Sequence, residues 1–375
     1  MGKPRLPDVE KQEMLDLPML LLTLLLTALG LVMIYSSSFA RALYESGDSA
    51  YYFKRQGIFA LVGTAAMLAI SRVRPELIRK MAFPVLGVSI LFLILVFVPG
   101  IGRAENGATR WVSLGISFQP SEVAKLGVIL SFAAMITRFG ENMETFRWGI
   151  APFAGILAVI VVLLRLEPHN SAIVIIACMA GAMLFLGGVK YRWFILGGCA
   201  MLLGLILILG AGGYEASRIT AWQDPFSDPT DDGYQIIQSL YAIGSGGLFG
   251  LGFGQGRQKY LYLPEKHNDY IFSIACEELG LVGAAAILLL YALLILRGYW
   301  ISMHIRDRFL SLTVAGITTL TALQVFFNIG VVTNLLPSTG ISLPFFSYGG
   351  TALLIQLGEM GIILGASRQC SAGFL

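Results

Sequence analysis

At 375 residues, 56% of them hydrophobic and 13% charged, with a mean hydropathy of +0.75, the chain carries more apolar side chains than a soluble core can bury and reads as an integral membrane protein. A net charge of +3, spread along loops instead of gathered in a patch, excludes nucleic acid as a partner. Cys178, Cys199, Cys276 and Cys370 show no CxxC or Cys/His spacing, so they read as packing residues without disulfide or metal roles.

A charged leader, 1–16, precedes an apolar run long enough to span by itself, so that run reads as a retained helix and not a cleaved signal. Apolar stretches near 17–36, 56–71, 81–99, 119–137, 149–165, 170–189, 193–211, 270–296, 309–332 and 348–366 predict one all-α polytopic domain, 1–375, with ten transmembrane helices. The pair flanking Glu167-Pro168-His169 also reads as one broken hairpin. An N-terminus inside the cell puts Arg72, Arg74, Arg79 and Lys80 on one cytoplasmic loop and Lys190 with Arg192 on another. Arg297, Arg306 and Arg308 fall on a third, as the positive-inside rule requires. The tail, 367–375, then returns to the cytoplasm, and two exterior stretches remain, about 100–118 and the longer 212–269.

In Gln119-Pro120-Ser121-Glu122-Val123-Ala124-Lys125-Leu126, Pro120 suits a first helical turn and Glu122 stands three residues from Lys125 on one face. A lone charge at bilayer depth costs about 2.5–3.5 kcal/mol or more, so the two form either a structural ion pair or the lining of a polar cavity. Glu167-Pro168-His169-Asn170 reads first as an exterior turn, with His169 or Asn170 capping the next helix. Within the long loop, Tyr234 to Ile243 is amphipathic at helical spacing and predicts a short helix lying on the membrane surface. Gly250-Leu251-Gly252-Phe253-Gly254-Gln255-Gly256 matches no nucleotide-binding pattern and reads as a flexible turn that lets the chain re-enter the membrane.

Leu263-Pro264-Glu265-Lys266-His267-Asn268-Asp269 gathers charge at the mouth of the next span. Asp269 has two readings, a helix N-cap worth about 1 kcal/mol or a chemically active carboxylate with Glu265 and His267 beside it. Glu277, eight residues on, falls near the same helical face as Asp269; a functional group and a hydrogen bond to a neighbouring helix are equally open to it. From Pro337 to Gly350, with Ser347 near its end, prolines, glycines and hydroxyls mark a re-entrant or tightly turned segment that is either buried in protein or lines a polar cavity.

Three blocks, QPSEVAKL, the run from DPFSDPTDDGYQIIQSLYAIGSGG through RQKYLYLPEKHNDYIFSIACEELG, and TGISLPFFSYGGTALL, resemble the signature blocks of the bacterial SEDS proteins of shape, elongation, division and sporulation. The resemblance covers essentially the whole chain, and RQKYLYLPEKHNDYIF is nearer the division and sporulation branch (FtsW, SpoVE) than the elongation branch (RodA). It implies a peptidoglycan glycosyltransferase that polymerises lipid II on the outer face of the bacterial cytoplasmic membrane, as a multi-pass protein. The family's essential aspartate falls on Asp269, and its ion pair on Glu122 and Lys125. Two departures stand out: His267-Asn268-Asp269 replaces the common HTD and keeps the aspartate, whereas Glu167-Pro168-His169 replaces QPD and moves a carboxylate.

Lipid II holds its sugar through an α bond and the glycan is β-linked, so a single displacement with inversion is expected, with Asp269 as general base toward the acceptor hydroxyl. Positive charge for the departing undecaprenyl diphosphate would come from Lys125, Arg110, Lys259 or a divalent cation such as Mg or Mn, with no nucleotide. Glu265, His267, Glu277 and Ser347 are the expected supporting residues. The resemblance also implies a class B penicillin-binding transpeptidase and other division or sporulation membrane proteins as partners. A lipid II flippase and a non-catalytic division scaffold are the rival readings.

Overall fold

The computed structural model describes residues 15–105, 108–113, 115, 117–198, 214–227, 229, 233–260, 263 and 267–370. Its first helix, α1 (Leu17–Ser46), starts where Asp16 accepts a hydrogen bond from the Met19 N–H and stops at left-handed Gly47, whose N–H bonds the Leu43 carbonyl. Then follow α2 (Tyr51–Ile70), α3 (Pro75–Leu95), α4 (Pro120–Phe139), α5 (Phe146–Gly149), α6 (Ala151–Leu166) and α7 (Asn170–Leu186). After the long loop's α8 (Tyr214–Gln223) and α9 (Tyr234–Ser245) come α10 (Ile271–His304), α11 (Arg308–Val332) and α12 (Gly350–Ser367).

Among the described residues eight helical stretches are long and apolar enough to cross a membrane, and α7 is a shorter apolar helix of 17 residues. The span expected at 193–211 is helical over 191–198, and the remainder lies outside the described residues. α11 is the axis of the bundle: 78% of its most apolar window is buried, against 22% for α2 and α3, which face outward. At one end the basic loops meet. Arg79 pairs with Asp307 at 2.8 Å, Arg297 with Asp16 at 2.7 Å and Lys190 with Glu144 at 2.6 Å. The exposed Arg79–Asp307 and Lys190–Glu144 pairs add little stability, but all three put these loops on the same side of the bundle.

The all-α expectation needs one correction. At the opposite end, β1 (Gly102–Glu105), β2 (Ala108–Ser113) and β3 (Ser117–Phe118) form a three-stranded antiparallel sheet, because a stretch too polar and too short to span satisfies its backbone by pairing with itself.

The long loop is also more embedded than its amphipathic pattern predicts. Ser239 of α9 is fully buried; its hydroxyl donates to the Val332 carbonyl at 2.7 Å and so accepts from the Ser273 hydroxyl at 2.7 Å, which draws α9 onto α10 and α11. The glycine run is a fixed plug, not a flexible turn. Gly280 (φ 67°) interrupts α10, and the helical bonds this break would cost are replaced: Leu251 and Gly252 donate to the carbonyls of Glu277 and Glu278, while Leu281 and Val282 donate to those of Gly247 and Leu248. The close approach requires glycine on both sides, since a Cβ on Gly280 would lie 2.2 Å from the Gly250 nitrogen and one on Gly250 2.1 Å from the Glu278 carbonyl oxygen. Gly280→Ala is therefore expected to cost well over about 1 kcal/mol, read as a lowered thermal midpoint of the purified protein.

Candidate active site

Opposite the basic end lies a cavity of about 200 Å³. One wall is β2 with Arg110 and Trp111, the start of α4 with Gln119, Ser121, Glu122 and Lys125, and the start of α7 with His169 and Ser171. The other is Asn268 and Asp269, Gln324 of α11, and the turned segment with Gly340, Ser342, Tyr348 and Gly349.

Asp269 does not cap α10. The N-cap position is Tyr270, without a side-chain cap bond, and the Asp269 carboxylate faces the cavity with Gly340 (φ +63°) beside it, where a Cβ would come within 3.3 Å of Oδ2. Its position is set through the main chain. Asn328 Nδ2 donates to the carbonyls of Asp269 and Ile341, each at 2.7 Å. The Ser347 hydroxyl donates to the Asn268 carbonyl at 2.8 Å and accepts from the Leu343 N–H, and the Tyr348 N–H bonds the His267 carbonyl at 2.8 Å. The buried His267 ring lies against Tyr52 and Tyr348. His267 and Ser347 therefore act behind the cavity wall; neither lines it.

Glu122 and Lys125 are both buried and paired, Nζ to Oε1 at 2.7 Å. The buried Glu359 of α12 lies within the field of both charges. Among the described residues no three His, Cys, Asp or Glu side chains stand close enough to hold a metal. A Mg or Mn ion at this cavity would draw on the Asp269 carboxylate, with its remaining ligands from substrate phosphates and water.

The turn before α7 is not a plain exterior turn. His169 lines the cavity with Nε2 3.3 Å from the Gln119 amide nitrogen, and Arg110 donates to the Pro168 carbonyl at 2.5 Å. His169 makes no side-chain cap, and Asn170 instead accepts from Arg165 at 2.7 Å. Burial pushes the Glu167 carboxyl up to about 8 despite the Arg110 charge, and burial, with Arg110 and Lys125 adding to it, pushes His169 down to about 3. The signs oppose. Glu167 keeps its proton in the fold, so its contribution declines as pH rises from its ordinary 4.5 to about 8. His169 stays neutral in the fold, so its contribution is lost as pH falls from its ordinary 6.5 toward 3. The expected result is that Glu167→Gln flattens the decline in thermal midpoint between pH 6.5 and pH 8; an unchanged slope would refute the assignment.

A family model described as "Cell cycle protein", that of FtsW, RodA and SpoVE, matches residues 16–372. The chain belongs to this family. Its relatives include a probable peptidoglycan glycosyltransferase FtsW of Geobacter metallireducens, 40% identical over 364 residues, 96% of this chain and 97% of the relative. Stage V sporulation protein E of Bacillus subtilis is 40% identical over 356 residues, 94% and 97% of the two chains. Among solved structures, a chain from a peptidoglycan synthase complex, in work on how polymerization and crosslinking are coordinated, superposes with TM-score 0.81 at 27% identity, covering 96% of this chain and all of that one. The rod shape determining protein RodA of Thermus thermophilus gives 0.70 at 27% identity, covering 96% and 99%. Family membership and the apolar helices together make the chain a multi-pass protein of the cytoplasmic membrane.

Not every residue expected at the site of this FtsW/RodA/SpoVE protein reaches it. Lys259 is fully buried elsewhere, its Nζ 2.7 Å from Glu278 Oε1, with the Ser36 hydroxyl 2.6 and 2.7 Å from the two carboxylate oxygens and the Phe39 ring 5.1 Å away. Glu277 accepts the N–H groups of Arg257 at 2.7 Å and Gln258 at 3.2 Å. Neither lines the cavity. The helical period does not carry from Asp269 to Glu277 because the helix starts only at Ile271, and loop residues 254–259 claim the acidic face. Glu265 lies outside the described residues. Trp111, Ser121, Gln324, Asn328 and Glu359 belong to the cavity or its support without standing out in the sequence. A signal existed for two of them, since Gln324 and Asn328 are amides four apart, on one face of an apolar span.

Proposed function

We propose that this chain is the peptidoglycan glycosyltransferase itself, polymerising lipid II into β-linked glycan at the outer face of the membrane, with Asp269 as general base. The supporting observation is the clamp that presents the Asp269 carboxylate to a polar cavity also lined by Arg110 and Lys125. The acceptor hydroxyl loses its proton to Asp269 as it attacks the donor's anomeric carbon from the face opposite the diphosphate. The bond to the diphosphate breaks with inversion, and Arg110 and Lys125 offset the charge that develops on it. Lys259 is too far committed to Glu278 to share that task.

The cavity lies at the end of the bundle away from the basic loops, which supports cytoplasmic termini and an extracytoplasmic site. The likeness to a complex joining polymerization with crosslinking supports a class B penicillin-binding transpeptidase as partner. The two relatives' names support a place in division or sporulation.

The test is polymerisation of lipid II by the purified full-length chain, with and without a transpeptidase, with Asp269→Asn alongside; translocation of lipid II without polymer would favour a flippase instead. A second expectation concerns the ion pair. Glu122→Gln or Lys125→Met alone leaves one buried charge unmatched and costs on the order of 3–5 kcal/mol. The double variant regains most of that thermal stability but stays impaired on lipid II, because one of the two cavity cations, Lys125, is gone; full activity in the double variant would reduce the pair to a packing element.

A further inference from the structure

The charged side chains lining the cavity are Arg110 and Lys125 against Glu122 and Asp269, so their formal charges, two positive and two negative, cancel. A diphosphate entering such a site needs positive potential from another source. Three helices begin on the cavity. Ser121 and Glu122 stand in the first turn of α4, Ser171 and Ala172 in that of α7, and Gly349 and Ala352 at the start of α12. None of the three has a side-chain cap bond, so their first-turn N–H groups are not engaged by a capping side chain, and each terminus carries roughly half a positive charge. Independently, the Ser121 hydroxyl, 1% exposed and on the cavity wall, has no hydrogen-bond partner. An unpartnered buried hydroxyl is costly to keep. At the mouth of an uncapped helix, beside the lysine one turn on, it is a donor with its acceptor absent.

We infer that the first turns of α4 and α7, with the Ser121 hydroxyl as the directed donor, form the binding subsite for the diphosphate of a lipid-linked sugar. The inference rests on the polymerase reading and adds to it the group that recognises the donor. Ser121 and the N–H groups of the α4 and α7 termini take the phosphate oxygens, as helix termini do elsewhere. Arg110 and Lys125 flank them. Asp269 and Gly340 lie on the other wall. This division of labour keeps the base and the leaving group apart, as a displacement with inversion demands.

The test uses the full-length chain in detergent with inorganic pyrophosphate as the probe, followed by thermal unfolding. Pyrophosphate should stabilise the wild-type chain and Asp269→Asn, the latter with a half-saturating concentration no higher than wild type, whereas Ser121→Ala should need about 10-fold more, the loss of one charge-assisted hydrogen bond. Without pyrophosphate, Ser121→Ala should unfold at the wild-type temperature or above it, since only an unpartnered hydroxyl is removed. On lipid II the same variant should lose about 10-fold in kcat/KM. Equal pyrophosphate response in wild type and Ser121→Ala would overturn the subsite, and so would a lowered midpoint of that variant in the absence of anion. If phosphatidylglycerol displaces pyrophosphate with the same dependence on Ser121, the subsite belongs to phospholipid headgroups and the assignment also fails. Polymerisation by Asp269→Asn would instead overturn the base assignment and leave the pyrophosphate result standing.

Discussion

Asp269→Asn is expected to lower the rate of lipid II polymerisation by about 10²–10⁴-fold, the usual contribution of a positioned general base, with little change in thermal stability. Both halves follow from how the residue is held. The bonds that fix residues 267–269 run through their carbonyls, to Asn328, Ser347 and the Tyr348 N–H. An asparagine side chain of nearly the same shape leaves all of them in place and removes the basicity. Gly340→Ala should act on the same carboxylate from outside: its φ of +63° is strained for alanine, and the added methyl would sit 3.3 Å from Asp269 Oδ2. A measurable polymer yield from Asp269→Asn above one tenth of wild type would remove Asp269 from the base role.

The other large effect is expected far from the cavity. Lys259→Met leaves the Glu278 carboxylate fully buried with the Ser36 hydroxyl and the Gly254 N–H as its remaining donors, a loss on the order of 3–5 kcal/mol. The consequence is mechanical as well as electrostatic. Glu278 and Glu277 hold residues 254–258 against α10, and the adjoining residues 247–252 fill the break at Gly280. Once it is released, the loop should become open to limited proteolysis between residues 246 and 260. Lys259→Met/Glu278→Gln should recover most of the stability, and KM for lipid II should match wild type, because neither residue lines the cavity. A wild-type midpoint for Lys259→Met would show that the pair contributes nothing, and a raised KM in the double variant would return Lys259 to the substrate.

Much of the plan was legible from residue type and order alone. Apolar length marks the spans, because each must cross a fixed thickness of hydrocarbon. The basic loops mark one end of the bundle, and the structure brings their side chains together there. Pro120 and the three-residue spacing announce the start of α4 and the Glu122–Lys125 pair, since both are properties of a single helix. Asp269 stood out for a similar local reason: charge at the mouth of an apolar run is expensive and has to be explained.

What the order of residues could not decide is which polar groups meet, because that depends on contacts between segments far apart in the chain. Lys259 and Glu278 are 19 residues apart and Ser36 is 242 from Glu278; no spacing rule links them, and without their pairing Lys259 remained a candidate for the diphosphate. Glu277 misled because a helical period was extended across Asp269 and Tyr270, where the chain is not yet helical. His169 and Ser121 acquire a meaning only when two helix starts, 50 residues apart by the Gln119–His169 contact, are brought to one cavity. From the sequence alone come the membrane plan, the ion pair and the aspartate, because hydrophobicity and helical period are local. The tertiary structure alone decides which carboxylate faces the cavity and which hold the loop, because burying a charge selects its partner by geometry in three dimensions.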